Sequence, residues 1–237
     1  VGYSGFSASN YLKQPHNSDL NFGTGDFCVM GWANLDAIGN SDALVGVGDI
    51  SNGNGGWLLG FQSTGILRMW DAPTTAHNVT LISSVAIPAL GVWNFICLSR
   101  MGTSLSISIN GAVDTTVSST TDLTNPNAIL SIGVADDLSY PTGASLALWR
   151  ISKTAPSEEQ IAKMYNDEKY LFQENAKATL YGASDAVTAL AYDDATELLH
   201  VGTSQGRSVF QGLRRVDNTT SAVGVAISAS NGMVAED

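Results

Sequence analysis

WNFICLSRMGTSLSISINGAVDTT, Trp93 to Thr116, reads as two strands with a turn between them and a second turn after. Trp93, Phe95 and Cys97 alternate with Asn94, Ile96 and Leu98, and Met101-Gly102-Thr103 breaks the run. Leu105, Ile107 and Ile109 then alternate with Ser104, Ser106 and Ser108. A period of two puts each set of side chains on its own face of a sheet. Asn110-Gly111 accepts positive φ at both central turn positions, which favours a tight hairpin.

This pattern resembles the Trp-led hairpin of the concanavalin A-like lectin/glucanase superfamily, in its laminin-G-like branch. Other stretches extend the resemblance in the family's order. Asp19–Asp36, with Phe27, Val29 and Trp32, looks like the opening strand. Ala43–Asp49 and Gly55–Asp71 look like central strands, and Ala128–Asp136 like a later one. Leu146–Tyr165 looks like the closing strand and short helix. The resemblance covers roughly residues 5 to 166. It implies an all-β, antiparallel jelly-roll β-sandwich that binds carbohydrate or protein. The superfamily hosts lectins, glycosidases and adhesion modules alike, so fold alone does not assign the activity.

Composition narrows the classes. Charged residues make up only 14% of the 237, against 24 Gly, which suits many short strands and turns and argues against a disordered chain. A net charge of −11 argues against nucleic acid, whose phosphates call for clustered Lys and Arg. No apolar run reaches the ~20 residues of a membrane-spanning helix, and no signal peptide is legible. Val1 is no initiator methionine, so a fragment or processed product is expected. Cys28 and Cys97 fall on core strands and are read as buried thiols, with a cross-strand disulfide as the alternative.

The character changes at Pro156. Ser157-Glu158-Glu159-Gln160 is a capping box, and an intermittent apolar face runs on to about Phe172. The expected organisation is a jelly roll over 1–156, a helix and linker over 157–175, and a β-rich appendage over 176–237. In the appendage, strands are expected over Val187–Asp193, Glu197–Gly206, Arg207–Val216 and Ala222–Ser228. Its middle resembles one blade of a β-propeller, which alone cannot close a ring. The segment 177–224 resembles the C-terminal extension of marine-bacteriophage structural proteins. With no partner sheet evident for these strands, their edges call for pairing between copies, and a homotrimer is expected from the fibre context.

Candidate chemistry follows from residue types and spacing. Glycosidases on this fold carry two catalytic Glu flanking an Asp on one strand. The chain has no such run, and His16, His77 and His200 are isolated, so no catalytic residue is assigned. The resemblance implies that calcium is possible, yet Ala147 and Leu148 stand where many relatives carry an acidic pair. Asp49, Asn52, Asn54, Asp136 and Asp137 remain weak metal candidates, for which turn formation is the simpler reading. Sugar binding uses an exposed aromatic face with polar groups beside it. Trp57, Trp70, Asp71 and Tyr140 are the candidates for that role, whereas Trp32 and Trp93 are expected in the core.

These readings converge on a non-enzymatic virion structural or receptor-binding module, such as part of a phage tail fibre, exposed on the virion surface or otherwise extracellular. Host-surface glycans and other virion proteins are the expected partners. The alternatives are a secreted bacterial lectin or adhesin and a diverged glycoside hydrolase.

Overall fold

The Trp93–Thr116 stretch folds as its pattern dictates. In the computed structural model, Asn110 and Gly111 both have positive φ, 51° and 83°, and join two antiparallel strands. The structure describes residues 2–37, 41–48, 56–71, 78–87, 90–126, 128–172, 179–183 and 186–237. It divides into two compact units, Val1–Tyr165 and Asn166–Asp237.

The strands of the first unit are β1 (Leu12–Gln14), β2 (Phe27–Asn34), β3 (Asp42–Val47), β4 (Trp57–Phe61), β5 (Ile66–Asp71), β6 (Asn78–Ala86), β7 (Trp93–Met101), β8 (Ser104–Ile109), β9 (Ala112–Ser118), β10 (Leu130–Ile132) and β11 (Ser145–Ser152). They form a six-stranded antiparallel sheet, β1-β10-β3-β4-β5-β6, and a five-stranded antiparallel sheet, β11-β2-β7-β8-β9. Neither order follows the chain, as a jelly roll requires. The two inner faces share one apolar core, to which the first sheet contributes Val45, Trp57, Leu59, Phe61 and Met69 and the second Phe27, Val29, Ile96, Leu98 and Ile107.

Arg100 lies in the interior with no exposed surface. Its guanidinium donates from Nε to the Gly25 carbonyl (2.9 Å), from Nη1 to Thr121 (2.7 Å) and from Nη2 to Gly23 (2.5 Å). It also stacks over the Phe27 ring at 5.2 Å. A rigid fork of donors suits three carbonyls held on two separate loops.

The outer face of the five-stranded sheet is covered in part by helix α1 (Glu158–Glu168). The capping box forms: the Gln160 N–H donates to Ser157 Oγ (3.3 Å), and the Ser157 N–H donates to Gln160 Oε1 (2.9 Å). Tyr165 on this helix stacks on Trp32 (5.8 Å) and meets Phe95 (6.3 Å). Both faces of β2 and β7 are thereby buried. Trp93, expected in the core, is half-buried at the start of β7. A short 3-10 turn, Lys169–Phe172, continues the helix.

In the second unit, β12 (Val187–Asp193), β13 (Leu198–Thr203), β14 (Gly206–Gln211) and β15 (Arg214–Asn218) form an antiparallel meander. The hairpin of β16 (Ile227–Ser230) and β17 (Met233–Glu236) follows. The expected strand over 207–216 is two strands, broken at Gly212 with φ 60°. The expectation that the appendage strands lack internal partners is corrected. They pair with one another, and Val223 and Ile227 close over Gly202, where a Cβ would come within 3.0 Å of both. Asp193 ties this unit together: its carboxylate accepts from the N–H of Ala195 (3.0 Å), Asn231 (3.0 Å) and Gly232 (2.6 Å).

Candidate functional site

Cross-strand partners in a sheet share a face. Two rungs therefore define the outer face of the six-stranded sheet. One runs Lys13, Ser131, Gly46, Leu58, Trp70. The next runs Ala43, Gly60, Arg68, Ile82. The intervening residues, Val45, Leu59 and Met69 among them, belong to the core.

Trp70 is half-buried and rests on a small apolar bed of Ala43, Leu58 and Ala135. Two residues before it, Arg68 emerges on the same face. Its Nε is buried and has no hydrogen-bond partner, and the same holds for the Ser131 hydroxyl. Gly46 and Gly60 keep the face low between these groups. A Cβ at Gly46 would lie 2.8 Å from the Trp57 carbonyl, and one at Gly60 2.3 Å from that of Asp42, so neither position admits a side chain without a shift. An indole and a guanidinium thus share one shallow surface, with the Ser131 hydroxyl buried beneath it and exposed Ile82 beside Arg68.

The other sequence candidates separate. Trp57, expected as a loop-edge platform, is fully buried. It stacks with Phe22 (5.8 Å) and Phe27 (6.2 Å), because it pairs with Asp71 on the inward-facing side of β4. Asp71 is buried with it on the core side of the sheet, away from the face that carries Trp70. Tyr140 is 55% exposed, and its carbonyl accepts from the Ala43 N–H (2.9 Å), which brings its backbone to the edge of the second rung. Arg68 and Ser131 were not singled out from sequence. The signal for Arg68 was its place two residues before Trp70 in an alternating strand.

Of the metal candidates, Asp49, Asn52 and Asn54 lie outside the described residues. Asp137 Oδ1 accepts from the Ser139 N–H (3.0 Å) and hydroxyl, the bonding of an Asx turn. Asp136 sits beside it in the same turn. Among the described residues, no three His, Cys, Asp or Glu side chains are grouped to hold a metal ion. Leu148 lies at the irregularity in β11 with φ 52°.

A laminin G-like family model of the concanavalin A-like lectin/glucanases superfamily matches residues 6–162. The chain belongs to this superfamily. Several solved structures share the superfamily's sandwich with it. The CBM40 module of the Ruminococcus gnavus IT-sialidase is 14% identical with a TM-score of 0.52, over 65% of this chain and 98% of that one. Domain 4 of AbnA, an extracellular arabinanase from Geobacillus stearothermophilus solved with arabinotriose, is 15% identical with a TM-score of 0.50, over 68% and 86%. Trypanosoma rangeli sialidase is 14% identical with a TM-score of 0.53, over 71% of this chain and 28% of that one. At such identities the shared property is the fold. No curated protein matches the chain in sequence.

Proposed function

We propose that the chain is a non-catalytic carbohydrate-binding module whose sugar site is the outer face of the six-stranded sheet. The observation that carries this reading is the pairing of half-buried Trp70 with the unpartnered Nε of Arg68 on one glycine-lowered surface. A pyranose stacks its C–H face on the indole, while its hydroxyls take hydrogen bonds from the Arg68 guanidinium. The solved CBM40 and arabinanase modules, which share the sandwich, support it. Glycoside hydrolysis uses two carboxylates about 5–10 Å apart, and the two rungs carry no carboxylate.

In its biological setting we read the module as a receptor-binding element of a virion appendage. The support for this is the resemblance of residues 177–224 to phage structural extensions, and the reading carries with it a homotrimer. Glycan-array binding of the full chain, with Trp70→Ala and Arg68→Gln alongside, tests the sugar site. Glycan binding lost in Trp70→Ala supports it, whereas no binding, or binding indifferent to both substitutions, refutes it. Light scattering on the full chain tests the assembly, and a monodisperse monomer removes it.

A further inference from the structure

The opposite sheet carries a second recess. A groove of about 310 Å³ lies on the outer face of β7 and β8, beside the first turn of α1. Its floor is a hydroxyl strip, because the outward positions that line it are Ser99 on β7 and Ser104, Ser106 and Ser108 on β8. Ser108 is fully buried at that floor, and its hydroxyl has no hydrogen-bond partner. Among the described residues, the hydroxyls of Ser99 and Ser104 and the carboxylate of Glu158 also make no hydrogen bond or ion pair. Their neighbours are engaged: Ser106 with Thr116 (2.8 Å), and Ser157 with Glu159 and Gln160 at the helix cap. Met101 and Val113, 50% and 37% exposed, form apolar rims.

A buried hydroxyl left unpaired is costly, so this groove is built to be filled by something that hydrogen-bonds. We propose that it is a second sugar site, taking a single neutral pyranose ring. Each ring hydroxyl both donates and accepts, as each serine does, so a hydroxyl floor matches a hydroxylated ring without fixing one polarity. The Glu158 carboxylate accepts from a ring hydroxyl and, with Glu159, repels anionic sugars. Met101 and Val113 pack against the C–H edges. The volume sits at the low end of ligand sites, which restricts the occupant to one ring. This site is distinct in chemistry from the Trp70 face, since no aromatic ring lines it.

The five methionines supply the test, because Met101 alone of them lines the groove. The full chain, labelled with ¹³C at the methionine methyls, is titrated separately with glucose, galactose, mannose and N-acetylglucosamine. At least one sugar is expected to move the Met101 resonance while leaving core Met69 unmoved. Ser108→Ala should weaken that response about fivefold, the loss of one hydrogen bond, without lowering the melting temperature, because it deletes an unpaired hydroxyl. Trp70→Ala should leave the response intact. The proposal is overturned if no sugar moves Met101, if Ser108→Ala responds as the parent does, or if Trp70→Ala abolishes the response. Failure here leaves the Trp70 site standing, since that site is read by glycan binding of the Trp70 and Arg68 variants.

Discussion

Replacing Trp57 by alanine should be among the most damaging single changes in the first unit. The side chain has no exposed surface and stacks between the sheets with Phe22 and Phe27. Truncating a buried tryptophan costs about 3–5 kcal/mol in lost burial and cavity formation. For a domain of this size each kcal/mol lowers Tm by roughly 2–4 °C, so a fall of about 6–20 °C is expected. Trp57→Phe separates packing from polarity. The indole Nε1 is buried without a partner, and removing an unpaired N–H returns about 1–3 kcal/mol, which offsets part of the lost ring. Trp57→Phe should therefore cost under about 2 kcal/mol. Trp70→Ala should also cost less than Trp57→Ala, because that side chain is only partly buried. Chemical denaturation followed by circular dichroism gives all three. The reasoning is refuted if Trp57→Phe is as harmful as Trp57→Ala, or if Trp70→Ala matches Trp57→Ala.

Arg100→Met should cost roughly 2–3 kcal/mol, since it removes three charge-assisted hydrogen bonds to the carbonyls of Gly23, Gly25 and Thr121, of which Gly23 alone keeps another donor, the Leu123 N–H; Arg100→Lys, unable to reach all three, should rescue little, as denaturation midpoints will show. The second unit should loosen in acid. Backbone N–H groups, that of Gly232 first, hold the Asp193 carboxyl below its usual range, so its contribution is complete above about pH 4 and is lost as pH falls through the folded value. Burial, then nearby Arg207, holds His200 below its usual range, so its share is complete above about pH 6.5 and fades as pH falls through its own lowered value. Amide exchange at Asn231 and Gly232 measured against pH reads both, and a flat profile from neutral to acid contradicts both. Cys28 and Cys97, with Sγ atoms 3.5 Å apart, should ignore a thiol reagent in the native chain and release two thiols in guanidinium. Their mutual hydrogen bond and then burial push the Cys28 thiol up, and fewer than two thiols on unfolding would mean a disulfide.

The hairpins of the sandwich were legible because alternation and Asn-Gly turns are local signals. Trp93 to Thr116 folds as its pattern reads, and so does the capping box at Ser157. The same signal went unread at Asn231-Gly232, where φ values of 50° and 80° make the turn between β16 and β17. It was obscured because the strands it joins are only four residues long and mostly exposed. Burial on the outer side of the five-stranded sheet was less accessible. Cys28, Trp32, Phe95 and Cys97 are buried there, on the side where Tyr165 packs, and nothing within β2 or β7 announces a helix that arrives from residues 158–168. Arg100 reads as a strand-end charge in sequence. Its role depends on carbonyls at positions 23, 25 and 121, which only the folded chain assembles.

The sugar-site candidates turned on a parity that sequence leaves open until the register is known. In the β4–β5 hairpin, Trp57 faces Asp71 and Leu58 faces Trp70. Residues facing one another share a side, so Trp57 and Trp70 must point to opposite faces, and they could never form one platform. Which of them faces outward is decided by their companions. Trp57 alternates with Leu59 and Phe61, whereas Trp70 alternates with Arg68 and faces Leu58 in a row with Gly46. The sheet sends its bulky apolar set inward, and a slip of one residue would exchange the two sets completely. The charge two residues from Trp70 is thus the feature that distinguishes a ligand face from a core face. The Arg68-Met69-Trp70 triplet, rather than either tryptophan alone, is the unit from which a binding surface could have been read.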